Sequence, residues 1–113
     1  MKHFWLSVIA VAALSGCSPG TPVTVTNNSA FPVESVVISG SGFSHSLGTI
    51  APGQSVSAGV DPRGESGLGV AFRAGTRQVR TRPQGYFEGG GAYKVRAVIA
   101  PDLSVQVTGD LKY

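Results

Sequence analysis

The chain has 113 residues and one cysteine, Cys17, so no disulfide can form within it. Whatever it folds into must be held by an apolar core alone. It has one tryptophan, Trp5, and one methionine, Met1, both in the first few residues. Its histidines are His3 and His45. That is too few for a dedicated transition-metal site, which takes three or four ligands from cysteine, histidine and carboxylates. Acidic residues number 6 and fall scattered through turn-rich segments, which gives no support to a paired-carboxylate hydrolase. The longest apolar run, Phe4 to Leu14, falls well short of the roughly 20 residues that a bilayer-spanning helix needs. A helical period of useful length is absent beyond it. No metal and no cofactor are expected.

What stands at the start is a short basic stretch (Lys2, His3), that apolar run, and small residues before Cys17. These are the features of an exported chain. Leu14-Ser15-Gly16-Cys17 resembles the lipobox of bacterial lipoproteins at every position. The resemblance implies a diacylglyceryl group on the Cys17 sulfur, cleavage between Gly16 and Cys17, and acylation of the new amine. One acyl chain binds membranes marginally, at about 0.8 kcal/mol per buried methylene, whereas two or three anchor stably. In Gram-negative lipoproteins an Asp after the cysteine commonly signals inner-membrane retention. Ser18 stands there, which resembles the outer-membrane-sorted class and implies the periplasmic face of the outer membrane. The alternatives are an ordinary signal peptide cut after Ala10-Val11-Ala12, or a free thiol at Cys17.

On this reading residues 1–16 are a removed signal helix and 17–22 a lipidated N-terminus and tether, with Pro19, Gly20 and Pro22 opposing helix. Residues 23–113 form one domain. Its core must rest on Val, Ile and Leu with Phe31, Phe43, Phe72, Phe87 and the tyrosines. Removing Lys2 lowers the net charge of +3 by one. So mild a positive balance, at an envelope address, argues against nucleic acid as a partner.

The mature chain alternates and is punctuated by turns. Val23 and Val25 alternate with Thr24 and Thr26, and Asn27-Asn28-Ser29 turns the chain. Glu34 to Ser39 is a strand with Val36 and Ile38 on one face, and Phe43 to Leu47 is a third. Ala51-Pro52-Gly53-Gln54 is a turn. Ser55 to Val60 points Val56, Ala58 and Val60 inward. Leu68, Val70 and Phe72 share a core face, while Gly67 and Gly69 leave the other face bare for close approach of another backbone or ligand. Thr76 to Thr81 is a sixth strand, and Pro83-Gln84-Gly85 breaks it. Ala92 to Ile99 alternates strongly, and a last strand carries Leu103, Val105 and Val107. About eight short strands at close spacing predict an all-β fold, a single sandwich of mostly antiparallel strands.

Three segments, Val23-Thr-Val-Thr-Asn-Asn28, Leu47-Gly-Thr-Ile-Ala-Pro-Gly-Gln-Ser55 and Tyr93-Lys-Val-Arg-Ala-Val-Ile99, resemble small bacterial envelope domains with an immunoglobulin-like or transthyretin-like sandwich. The resemblance implies a fold class and carries no active site.

Candidate chemistry is sparse. Gly64-Glu65-Ser66-Gly67-Leu68 approaches a nucleophile elbow, but the fifth position is Leu68 and no helix follows. His45, the one histidine of the mature chain, shares parity with Phe43 and Leu47 and reads as a partly buried or edge residue. Tyr86-Phe87-Glu88 is either an exposed recognition loop or a pair of rings tucked under the sandwich. The cations are denser. Arg73, Arg77, Arg80 and Arg82 fall within ten residues, and Lys94 and Arg96 project from the outward face of a later strand. Were those strands antiparallel neighbours, Arg73, Arg80, Arg82, Lys94 and Arg96 would form a basic patch for carboxylate or phosphate. As a solvated face, the same charges would guard edges against aggregation.

The expectation is a non-enzymatic, lipid-anchored envelope protein. It would contact the membrane through its N-terminal lipid and act as a structural or protein-interaction module with an envelope protein partner. The alternative is a module that binds anionic lipid or glycan through the arginine-rich face.

Overall fold

The computed structural model describes residues 20–90 and 92–111. The signal over 1–16, the cleavage point at Gly16 and Cys17, and the lipidation of Cys17 lie outside these residues. Among the described residues there are nine strands and no helix. They are β1 (Thr21–Asn27), β2 (Val33–Gly40), β3 (Phe43–Ile50), β4 (Ser55–Val60), β5 (Ser66–Ala74), β6 (Arg77–Arg80), β7 (Gln84–Phe87), β8 (Tyr93–Ile99) and β9 (Val105–Leu111). The all-β sandwich expectation holds.

Two sheets pack face to face. One has the order β4-β1-β8-β9, the other β3-β2-β5-β6, with β7 also paired to β5. Every pairing is antiparallel except β1 with β8. In the first sheet the inward rows read Ala58–Val23–Val95–Gly109 and Val56–Val25–Ala97–Val107 across the four strands. The second sheet contributes Val36, Ile38, Leu68, Val70 and Phe72, all buried. β-branched side chains dominate because they suit a pleated, half-buried surface.

Four departures from the sequence reading have local causes. First, Gln84–Phe87 is a strand where a break was expected. The second half of β5 pairs with β6 and its first half with β7. Pro83, which has no N–H to give, falls at the joint between β6 and β7, and Thr81 bridges there. Its N–H donates to Val70 O at 3.0 Å and its hydroxyl accepts from Val70 N at 3.1 Å. The bare strip of β5 thus receives another backbone, as a Cβ at Gly67 would come within 3.2 Å of Gln84 O.

Second, β1 begins at Thr21, so the tether expected over 17–22 loses Thr21 and Pro22 to the sheet. Third, Leu103 is not in the last strand. It sits in the β8–β9 turn at φ 72° and is buried there. Fourth, Phe31 is not core; it is 53% exposed in the loop after β1, while Phe43 is only partly buried against the core.

That loop is organised by a buried side chain. Asn27 donates to Phe31 O at 2.7 Å and to Ile50 O at 2.9 Å. Its Oδ1 accepts from the Ser29 backbone and hydroxyl. All the hydrogen-bonding capacity of a fully buried amide is met, and Phe31 is turned outward as a consequence.

Candidate binding groove

The outer face of the β3-β2-β5-β6 sheet is shallowly concave. Register places Ser44, Ser39 and Gly69 in one row and Ser46, Val37, Ala71 and Arg80 in the next. Along β5 these rows carry only Gly69 and the methyl group of Ala71, and the result is a groove of about 360 Å³. Gly69, Ala71 and Val37 form its floor, with Ser39, Ser44 and Arg80 among the groups that rim it. Ser35 also lines it. This residue sits at φ 51° where β2 slips register between Val33 and Val36, an extra residue that keeps both valines inward. Non-glycine residues in this conformation are uncommon and gather at functional sites.

The basic patch expected from Arg73, Arg80, Arg82, Lys94 and Arg96 does not assemble, because β6 and β8 belong to different sheets. Lys94 and Arg96 lie on the outer face of the first sheet, and Arg96 pairs with Asp110 at 3.0 Å. Arg73 pairs with Glu34 on the second sheet. Both pairs are half exposed and worth about 0–1 kcal/mol each, but they engage the guanidinium forks. β6 ends at Arg80, so strand alternation does not extend to Arg82, which is exposed and outside the groove. Of the five, only Arg80 lines the groove, and it forms no ion pair among the described residues.

Other candidates resolve plainly. Ser66 is buried, its hydroxyl donating to Gly67 O at 2.7 Å and accepting from Ser41 N at 3.0 Å, which ties it to the backbone at both ends. His45 lies exposed on β3, an edge strand, in a wide depression with Phe43, Asp61 and Arg63. No cluster of three potential metal ligands exists among the described residues. The Tyr86-Phe87 pair splits. Phe87 is fully buried and 6.2 Å from the Phe43 ring, while Tyr86 is 45% exposed. The Tyr86 hydroxyl donates to Glu88, an interaction that pushes the phenol up to about 12. The exposed Phe31 and the groove-lining Ser35 were missed as surface features. The Asn27-Asn28-Ser29 turn signal was the sequence cue to the loop before Phe31, which Asn27 and Ser29 hydrogen-bond.

The fold defines a small two-sheet all-β domain. No protein-family model matches the chain, and no curated protein sequence does. The chain is similar in fold to a solved structure described as the NMR structure of the protein from Eubacterium rectale. Identity is 13% and the TM-score 0.56, over 83% of this chain and 89% of that one.

Proposed function

We propose that this chain is a lipid-anchored, non-catalytic binding module of the bacterial envelope. It is held through Cys17 at the periplasmic face of the outer membrane and docks an envelope protein through the groove of the β3-β2-β5-β6 sheet. The immunoglobulin-like or transthyretin-like classification belongs to the same proposal. The anchor is supported by Leu14-Ser15-Gly16-Cys17 behind its apolar run. The absence of chemistry is supported by Ser66, whose hydroxyl is committed to the backbone. The observation that carries the docking face is the groove itself, where the small side chain of Ala71 leaves room beside Val37 and the hydroxyls of Ser35, Ser39 and Ser44 offer hydrogen bonds to an extended chain.

The second reading, an anionic ligand, is supported by Arg80. It is a fork-shaped donor in the groove with no carboxylate partner among the described residues. Without Lys94 and Arg96 beside it, it favours a single carboxylate on a protein partner over a polyanionic surface.

The test places a photo-crosslinking residue at Ser39 in intact cells, with Lys94 on the opposite sheet as control. One dominant protein partner from position 39, weakened by Arg80→Ala, is the expected result. Crosslinking of equal strength and the same targets from both positions would sink the groove reading. A glycan or lipid adduct whose yield falls steeply with salt would replace it with the anion reading.

A further inference from the structure

One end of the sandwich carries a cluster that is exposed at Tyr86 and Leu111 and backed by Tyr93, which packs against the core. Tyr93 of β8 lies directly across from Leu111 of β9, and Leu111 is 51% exposed. The Tyr86 ring meets the Tyr93 ring edge-on, with centroids 6.0 Å apart. The first residue of β1 is at the same end. Thr21 pairs with Val60, and its hydroxyl donates to Glu88 O at 3.2 Å. Parallel pairing of Val23 with Val95 sets Thr21 level with Tyr93.

We propose that this end is a membrane-contact surface, in which Tyr86, Tyr93 and Leu111 rest at the headgroup level of a zwitterionic phospholipid leaflet. The proposal rests on the reading of Cys17 as the lipid anchor. From Cys17 to Thr21 the chain advances four residues, a reach of at most about 14 Å at 3.3–3.6 Å per residue. β1 itself is seven residues long and covers about 20 Å at strand rise. The tether therefore holds the Thr21 end, with Tyr86, Tyr93 and Leu111, within about 14 Å of the lipid, whereas the opposite end, with Phe31, reaches it only when β1 lies over toward the membrane.

The chemistry of that end suits the interface. Tyrosine concentrates at headgroup level because its ring is apolar and its hydroxyl polar. Tyr86 is 45% exposed there, its hydroxyl donating to Glu88. The charges nearby are mixed. Lys94 lies across from Asp110, and the carboxylates of Glu65 and Glu88 stand close enough to Tyr86 to act on its phenol. With no excess of positive charge, the contact is made by apolar area and not by attraction to anionic lipid.

The experiment uses the acylated protein in phosphatidylcholine vesicles. With Cys17 acylated, an added cysteine is the one free thiol of the chain. Single nitroxide labels are placed by Leu111→Cys, Phe31→Cys and Thr108→Cys, all exposed positions. Intact mass first confirms acylation. A mass without acyl chains removes the anchor reading, and this proposal with it. With acylation confirmed, the label at 111 should show a several-fold higher ratio of oxygen to nickel-complex accessibility than those at 31 and 108, unchanged by salt. Equal aqueous accessibility at all three positions overturns the proposal while leaving the anchor standing. Deeper burial at 108, or a contact that appears only with anionic lipid and vanishes in salt, overturns it as well.

Discussion

The Oδ1 of Asn27 accepts two hydrogen bonds from Ser29, one from its backbone N–H at 2.9 Å and one from its hydroxyl at 2.7 Å. The opposite side of the same amide donates to Phe31 O and Ile50 O. One side chain thus ties the end of β1 to the following loop and to the end of β3. Asn27→Ala leaves Ile50 O without that donor inside the protein, and a stranded polar group costs about 1–3 kcal/mol. Asn27→Asp is isosteric yet replaces two donors by an acceptor facing two carbonyl oxygens. It should lose more stability than the alanine at neutral pH and recover part of it in acid, where the carboxyl is protonated. Urea midpoints at unchanged m, read as differences from the parent chain at each pH, check both. An aspartate as stable as the asparagine at neutral pH would contradict the hydrogen-bond assignment.

Two phenylalanines with the same apparent claim to the core should separate by several kcal/mol. Phe87 is fully buried against Phe43, so Phe87→Ala should cost about 3–5 kcal/mol. Phe31 points to solvent, and Phe31→Ala should stay within about 0.5 kcal/mol. Thermal or urea unfolding of the two variants side by side makes the comparison, and similar losses would mean that Phe31 is covered in solution.

β7 and β9 approach each other closely where the two sheets meet. A Cβ on Gly109 would come to 2.5 Å from the Tyr86 carbonyl oxygen. Backbone cannot yield there as a flexible side chain would, so Gly109→Ala must part the two strands. Overpacking of this kind costs about 1–3 kcal/mol. Hydrogen exchange should show faster opening of Gln84–Phe87 in this variant than in the parent chain, with little change in β2. Unchanged exchange in β7 would count against the contact.

The pairing of Tyr86 with Glu88 makes a pH prediction. The carboxylate accepts the phenol hydrogen bond and holds the folded-state pKa up to about 12 from an ordinary 10.0. A pKa raised by folding stabilises the protein fully below the unfolded value, and that contribution fades as pH rises through the folded one. The stability difference between the parent chain and Glu88→Gln should therefore be constant from neutral pH to about pH 10 and close toward pH 12. Ultraviolet titration should show Tyr86 ionising late in the parent and earlier in Glu88→Gln, with Tyr86→Phe identifying the signal. Identical titration of parent and variant would rule out the pair.

Much of the fold was legible because most strands alternate strictly. Val23 and Val25 against Thr24 and Thr26, or Val95, Ala97 and Ile99 against Lys94, Arg96 and Val98, allow only one face inward. β7 was not legible. Four residues beside Pro83 and containing Gly85 resemble a breaker, and their pairing depends on β5 being long enough to hold a second partner. The basic patch failed for a different reason. Alternation tells which face of a strand a side chain takes, and says nothing of which strand lies beside it. Arg80 and Arg96 both point outward, as parity required, but from opposite sheets. The groove depended on a third kind of information, the slip in β2 that leaves Ser35 at its rim.

Leu103 shows how tertiary packing overrides a local preference, and its size can be tested. The β8–β9 turn closes with Leu103 N donating to Ala100 O and Ala100 N donating to Ser104 O, both at 2.8 Å. Its φ of 72° is a conformation that glycine adopts freely and that costs an L-residue about 1–2 kcal/mol. The side chain is nevertheless buried at 6% exposure, at the end of the core. Deleting a buried leucine side chain costs about 2–5 kcal/mol, which exceeds the strain and accounts for leucine where a turn favours glycine. Leu103→Gly should therefore destabilise by about 1–3 kcal/mol, since relief of strain offsets part of the lost burial. Leu103→Ala loses the burial and keeps the strain, so it should be less stable than the glycine variant by about 1 kcal/mol. This order reverses the usual one, in which glycine is worse than alanine. Urea unfolding of the three proteins decides it, and an alanine variant more stable than the glycine one would show that the turn is not held at positive φ.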